Sequence, residues 1–181
     1  WRAVAFLGVA KMGLGRLEEA EGDLVRAVAA LERTAGPSSY QIRGPLRFLA
    51  EVVRRRGRSV ESIGLERRVR TIEVGLFGTA DHRDVAATDR RLGIALTEVG
   101  GADALAEARL ALDRAVAFDR VHRAGLVALG ESLLASARLR LRTGDEPARR
   151  RAELEEAARI FATRLEPGST LRREVAAELG R

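Results

Sequence analysis

The sequence predicts an all-α chain built from about four antiparallel helical hairpins and a C-terminal capping helix. First, four glycines recur 42, 43 and 44 residues apart, and each follows a small residue by seven positions: Gly8 and Gly15, Ala50 and Gly57, Gly93 and Gly100, Ala137 and Gly144. Second, apolar residues on both sides of these glycines are spaced by three or four positions, which is the spacing of one helix face. Third, no segment alternates β-branched or aromatic residues between turn dipeptides, so no strand is predicted.

The composition excludes several classes of protein. The 181 residues are 46% hydrophobic and 32% charged, which is too apolar for a disordered chain. No run of about 18 uncharged apolar residues occurs, so we predict no membrane span and no membrane partner. Cysteine is absent, which excludes disulfides and cysteine-based metal sites. Because the chain opens on Trp1 within a helix-like pattern, we expect it to be a fragment of a larger protein.

The first two repeats are predicted at residues 1–37 and 38–80. Each has one helix before its glycine and a second helix after it, and the second helices carry apolar stripes: Leu17, Ala20, Leu24, Ala27 and Leu31, then Ser62, Leu65, Val69, Ile72 and Leu76. Glycine suits the left-handed position that ends a helix, and Ser59 is a suitable N-cap for the helix that follows. Proline inside a helix removes a backbone hydrogen bond, so the helix that contains Pro45 either begins near Gly44 or is kinked there.

The third and fourth repeats are predicted at residues 81–123 and 124–167, and the capping helix at 168–181. Their apolar stripes are Leu105, Ala108, Leu112 and Ala115, then Leu126, Leu129, Leu133 and Ala137, then Leu171, Val175 and Leu179. Asp145 is the expected N-cap of the last hairpin's second helix. A single hairpin cannot bury both of its stripes, so stacked neighbours are expected to form one repeat domain over residues 1–181. The small residues that precede the glycines are predicted where paired helices approach most closely.

Several of these residues resemble a known repeat family. The order Leu7-Gly8, Gly15-Arg16, Glu19-Ala20, Leu24 and Arg26-Ala27 resembles the tetratricopeptide repeat (TPR), and the period above 40 is similar to its kinesin-light-chain type. Asp81-His82 is similar to the linker between repeats of that type, although Arg83 stands where proline is usual. The resemblance implies a right-handed α-solenoid, in a bacterial protein, with a concave surface that holds a peptide or a partner's helix.

The phase of the resemblance assigns residues to that concave groove. They are Arg2, Val9, Arg47, Glu51, Arg54, Arg55, Arg90, Ile94 and Arg138. Guanidinium groups pair bidentately with carboxylates, so the groove is expected to bind an acidic segment of a partner protein. The alternative is that these arginines form a solvated face in an arginine-rich chain, whose single lysine is Lys11. At the uncovered Trp1 end, Trp1, Val4 and neighbouring apolar groups are expected either to be exposed by truncation or to serve self-association.

The sequence favours a protein-interaction scaffold over an enzyme. No catalytic, cofactor-binding or metal-binding set is predicted, because His82 and His122 are expected to lie in linkers about one repeat apart. One alternative is a regulatory or sensor segment of a larger bacterial signalling protein, such as a serine/threonine kinase or a nucleotide-binding regulator. Another is nucleic-acid binding, which the net charge of +6 allows but the 4% aromatic content disfavours. The expected location is the cytoplasm.

Overall fold

The computed structural model describes residues 1–180 as a series of helices, which confirms the predicted all-α class. The chain divides into two compact units, Trp1–Ala80 and Asp81–Arg181. In the first unit the helices are α1 (Arg2–Gly13), α2 (Leu17–Ala35), α3 (Arg43–Arg55) and α4 (Ser59–Phe77). In the second unit they are α5 (Arg83–Val99), α6 (Ala102–His122), α7 (Val127–Thr143), α8 (Pro147–Arg164) and α9 (Thr170–Leu179). None of these helices combines the length and the apolarity that a bilayer crossing requires.

Two hairpins make up the first unit, α1 with α2 and α3 with α4, and a short 3-10 turn at Tyr40–Ile42 precedes α3. Pro45 lies in the first turn of α3, where a proline displaces no helical hydrogen bond. Of the two predicted alternatives, the structure therefore confirms a helix that begins near Gly44. The core of this unit is an apolar cluster of residues from α2, α3, α4 and the 3-10 turn, against which Met12 of α1 packs: Ala20, Leu24, Val28, Leu31, Ile42, Leu46, Leu49, Val52, Val53, Val69 and Ile72.

The hairpin bends follow the glycine pattern. Gly15, Gly57, Gly100 and Gly144 all have positive φ, between 72° and 80°, a backbone region that costs side-chain-bearing residues about 1–2 kcal/mol. This confirms the predicted glycine bends, with Gly144 in the left-handed helical region (ψ 10°) and Gly100 in an extended region that is also nearly confined to glycine (ψ −167°).

The N-caps predicted for α4 and α8 are both wrong. The N-cap of α4 is Arg58, because Ser59 already has helical backbone and is the first residue of the helix. The N-cap of α8 is Glu146 rather than Asp145, because Pro147 takes the first helical position that proline favours.

Close helix approach in the second unit depends on glycines that face large side chains. A Cβ atom on Gly93 of α5 would lie 2.5 Å from Cγ of Leu112 in α6, as the small-residue pattern predicts. A Cβ atom on Gly130 of α7 would lie equally close, 2.5 Å, to Cε1 of Phe161 in α8. The sequence analysis missed Gly130. Phe161 is fully buried and belongs to the cluster that joins α7, α8 and α9.

Every hairpin also contains a buried carboxylate on its second helix and a cation on its first helix. From the first hairpin to the fourth, the pairs and their N···O distances are Lys11 and Asp23 at 2.7 Å, Arg43 and Glu73 at 3.3 Å, Arg90 and Asp119 at 3.9 Å, and Arg140 and Glu153 at 3.1 Å. The four carboxylate side chains are at most 5% exposed. Since an unpaired buried charge is strongly destabilising, these pairs restrict how the two helices can be paired.

Candidate functional site

An apolar pocket of about 410 Å³ lies between α1 and α3 in the first unit. It is lined by Trp1, Arg2, Ala5, Phe6, Val9, Gly44, Pro45 and Phe48. On the α1 side, Trp1, Ala5 and Val9 are spaced by four residues and therefore share one helix face. The α3 side combines the small Gly44 with Pro45 and Phe48, so the two helices leave an open space with an apolar floor.

The sequence analysis assigned two residues of this pocket to the groove, Arg2 and Val9. It missed the aromatic residues Trp1, Phe6 and Phe48, although Phe48 follows Pro45 by three positions and so lies on the same helix face. That spacing was the available signal. The residues predicted for the α3 side were charged, three arginines and Glu51, and the structure adds an apolar surface beside them.

Cations border the pocket. The Arg2 guanidinium carbon lies 5.3 Å from the centre of the Trp1 ring, and that of Arg47 lies 4.9 Å from the centre of the Phe48 ring. Both distances are within the range of cation–π attraction. The two aromatic rings therefore hold positive charge at the edge of an apolar cavity.

Glu51, Arg54 and Arg55 form a charged cluster along α3. Glu51 accepts hydrogen bonds from Arg54 Nε at 3.1 Å and from Arg55 Nε at 2.5 Å. Burial acts to raise the pKa of Glu51, but the two guanidinium groups outweigh it and the net pKa is lowered. Glu51 therefore remains ionised at neutral pH and neutralises part of the positive charge that the sequence analysis assigned to the groove.

In the second unit, the side chain of Arg90 on α5 points toward α6 and α7. Its side chain is 14% exposed, and its guanidinium lies 2.8 Å from Glu131 and 3.9 Å from Asp119. Ser132 Oγ also donates to Asp119, across 2.7 Å. Burial lowers the pKa of Arg90 while the two carboxylates act to raise it. Arg90 is therefore paired with carboxylates inside this unit.

Arg138 and Ile94 complete the predicted groove residues. Arg138 of α7 pairs with two carboxylates of α9, Glu174 at 2.9 Å and Glu178 at 3.2 Å. It therefore helps to attach α9 to the unit, and about two fifths of its side chain stays exposed. Ile94 is half-buried on α5.

The expected separation of the two histidines is wrong. His82 and His122 line the same open cavity of about 660 Å³, and His122 Nε2 lies 3.7 Å from Asp81 Oδ1. The two residues are about one hairpin apart in sequence, and an antiparallel hairpin returns the end of α6 to the beginning of α5. His122 also lies in the last turn of α6 rather than in a linker, with its ring centre 4.4 Å from that of Phe118.

His82 has a local structural role as the N-cap of α5. Its Nδ1 accepts a hydrogen bond from the backbone N–H of Asp84 at 3.2 Å. Within residues 1–180, no group of three or more histidine, aspartate or glutamate side chains is arranged to hold a metal ion.

The structure resembles solved TPR-like proteins along nearly its whole length. A crystal structure of kinesin-light-chain TPR-like repeats from Podosopora anserina matches 99% of this chain and 83% of its own, with a TM-score of 0.76 and 22% sequence identity. A variant of that protein matches with a TM-score of 0.77. BtubC (BKLC) from P. vanneervenii matches 92% of this chain and 65% of its own, with a TM-score of 0.77 and 17% identity.

These similarities confirm the predicted fold class, an array of TPR-like helical hairpins. No family model matches the sequence. No curated protein matches it either. The structural similarity therefore concerns the fold, and the function has to be argued from the residues of the site.

Proposed function

We propose that this chain is a non-enzymatic protein-interaction scaffold, and that its first unit binds an acidic segment of a partner protein between α1 and α3. The observation that carries the proposal is the combination of an apolar pocket with an excess of positive charge on the two helices that form it. Together, α1 and α3 contain six basic residues, Arg2, Lys11, Arg43, Arg47, Arg54 and Arg55, and one acid, Glu51.

Two of these cations are the best candidates for contacts with the partner. Lys11 and Arg43 are paired with buried carboxylates, and Arg54 and Arg55 share Glu51. Arg2 and Arg47 lie against aromatic rings at the pocket, which places their guanidinium groups beside the space that a partner's side chain would enter. An apolar side chain of the partner would enter the pocket, and neighbouring carboxylates would pair with these two guanidinium groups.

The test uses two fluorescein-labelled peptides of equal length, one with a leucine flanked by aspartates and one with a leucine flanked by lysines. We expect binding of the acidic peptide only, with an affinity that falls as salt is added. The double variant Arg2→Glu, Arg47→Glu should weaken binding at least tenfold. The matched control is Arg151→Glu, on an exposed side chain of α8, which should leave the affinity unchanged.

Equal binding of the two peptides, or equal weakening by the control variant, would reject the acidic partner. Circular dichroism of each variant verifies that helicity is retained. The bacterial source, the cytoplasmic location, and the signalling and nucleic-acid alternatives stay predictions from the sequence. Self-association through the Trp1 end likewise stays a prediction from the sequence.

A further inference from the structure

Glu51 lies on the same face of α3 as the pocket of the first unit. Phe48 lines the pocket, and Glu51 and Arg55 follow it by three and seven positions, so the three side chains share one helix face. Helix α3 follows α2 and precedes α4 in the chain, so this face belongs to the interior of the sequence. The charged end of α3 is therefore a direct continuation of the pocket.

Glu51 binds two arginines at this end of the helix. Its carboxylate oxygens accept hydrogen bonds from Nε and Nη2 of Arg54, each across 3.1 Å, and its Oε1 also accepts from Nε of Arg55 across 2.5 Å. The contact with Arg54 has the two parallel hydrogen bonds with which guanidinium groups bind carboxylates. Glu51 therefore occupies the position on these arginines that a partner's carboxylate would take.

These three side chains form an ion-paired cluster that solvent reaches. Burial acts to raise the pKa of Glu51, but hydrogen bonds from Arg54 and Arg55 outweigh it, so the carboxylate is charged at neutral pH. The side chain of Glu51 is 23% exposed and that of Arg55 is 47% exposed. Ion pairs with this much exposure contribute little to stability, so a carboxylate of a partner can exchange with Glu51.

We propose that Glu51 is an internal competitor of the acidic partner segment and lowers the affinity of the groove for it. A partner carboxylate that pairs with Arg54 or Arg55 has to displace Glu51, so the number of ion pairs does not increase. Because Glu51 is tethered to the same helix, it competes at a high effective concentration. This inference rests on the proposed function and adds to it a residue that sets the affinity of the same site.

The first test compares the intact chain with Glu51→Gln, which removes the charge and nearly preserves the shape of the side chain. The probe is the fluorescein-labelled peptide with a leucine flanked by aspartates. We expect Glu51→Gln to bind it at least about threefold more tightly, because two guanidinium groups are released from Glu51. The matched control is Glu61→Gln on α4, which makes the same change in net charge and removes an exposed partner of Arg58. It should leave the affinity within about twofold of the unchanged chain.

The second test asks whether the effects of Glu51 and Arg55 on binding are coupled. In the unchanged chain, Arg55→Gln should weaken binding of the acidic peptide less than about twofold, because Glu51 already pairs with that guanidinium. In the Glu51→Gln background, the same Arg55→Gln change should weaken binding at least about threefold. A charge that acts only at long range would have equal effects in both backgrounds, and that result would overturn the proposal.

The outcomes separate this inference from the proposed function. Acidic-peptide binding that Glu51→Gln leaves unchanged, or that Glu61→Gln strengthens equally, would overturn the competitor and leave the acidic partner in place. Binding to Glu51→Gln alone would support the competitor as a complete block of the groove. Absence of binding to both the unchanged chain and Glu51→Gln at millimolar peptide concentration would overturn both proposals. Circular dichroism establishes that each variant retains its helicity.

Discussion

Arg140 and Glu153 form a hydrogen-bonded ion pair inside the hairpin of α7 and α8. Arg140 Nε donates to Glu153 Oε2 across 3.1 Å, and the two side chains are only 2% and 5% exposed. Glu153 also accepts from Ser136 at 3.2 Å, and Arg140 bonds to Glu146. The pair thus connects the two helices through a network of polar side chains in an otherwise apolar interface.

Removing one member of this pair should be costly. We expect Arg140→Ala to lower the free energy of unfolding by about 3 kcal/mol, since Glu153 would stay buried with the half-exposed Arg149 as its remaining cation, at 3.3 Å. Urea denaturation measures the loss. As the control, Arg151→Ala on α8 removes an exposed pair with Glu155 and should cost less than about 1 kcal/mol. A loss of similar size in both variants would mean that burial does not determine the contribution of the pair.

The close approach of α5 and α6 gives a second prediction. Gly93→Ala should destabilise the chain by about 1–3 kcal/mol, because the added methyl group overlaps Leu112 and forces the helices apart. In the matched control, Gly64→Ala, the added Cβ meets no atom within 4 Å, and the exposed mid-helix position should become more stable by about 0.5–1 kcal/mol. Thermal denaturation of the two variants should therefore show shifts of opposite sign.

The pairing of Glu21 predicts a dependence of stability on pH. Burial acts to raise the pKa of Glu21, but hydrogen bonds from Arg58 and Arg56 outweigh it and the net pKa lies below the ordinary value of 4.5. A carboxyl whose pKa is lower in the folded state stabilises the fold above its unfolded pKa, and the contribution is lost as pH falls through the folded pKa.

Glu21→Gln should therefore reduce stability at pH 7 by roughly 0.5–1 kcal/mol, and the difference from the unchanged chain should close as pH falls below 4.5. Urea midpoints at several pH values measure this difference. A difference that stays constant down to pH 2 would show that the ionised form of Glu21 contributes nothing to the fold.

Trp1 offers a direct readout of the groove. It is the chain's one tryptophan, it lines the pocket and it is 37% exposed, so an apolar side chain in the pocket should exclude water from the indole. Titration with the acidic peptide should shift the emission maximum to shorter wavelength. The lysine-flanked peptide, which is not expected to bind, should leave the maximum unchanged. An acidic peptide that binds without a shift would have to lie outside this pocket.

Much of the fold could be predicted from the sequence because its determinants are local. The bends at Gly15 and Gly100 depend on a backbone conformation that glycine adopts at little cost, and helix faces depend on a fixed spacing. The placement of Gly93 against Leu112 also follows from the repeat phase. The pattern gave no sign of Gly130, because its neighbour Phe161 is brought to it only by the packing of α7 on α8.

The candidate site was less predictable because charge pairing depends on contacts between helices. The repeat phase predicted Arg90 as a groove cation, but its guanidinium lies beside Asp119 on the next helix. The sequence does not specify which rotamer a long side chain adopts, and therefore not which neighbouring helix its charged end contacts. The aromatic floor at Phe48 was missed for a related reason. A half-buried aromatic residue has the same spacing whether it faces a core or a pocket.

The four buried ion pairs each join the two helices of one hairpin. A gene duplication that copied a whole hairpin would thus copy both the acid and its cation, and a deletion would remove both together. Neither event would separate the two members of any of these four pairs. Changes in the number of hairpins could in this way be tolerated during evolution, whereas a break in the middle of a hairpin would separate the partners.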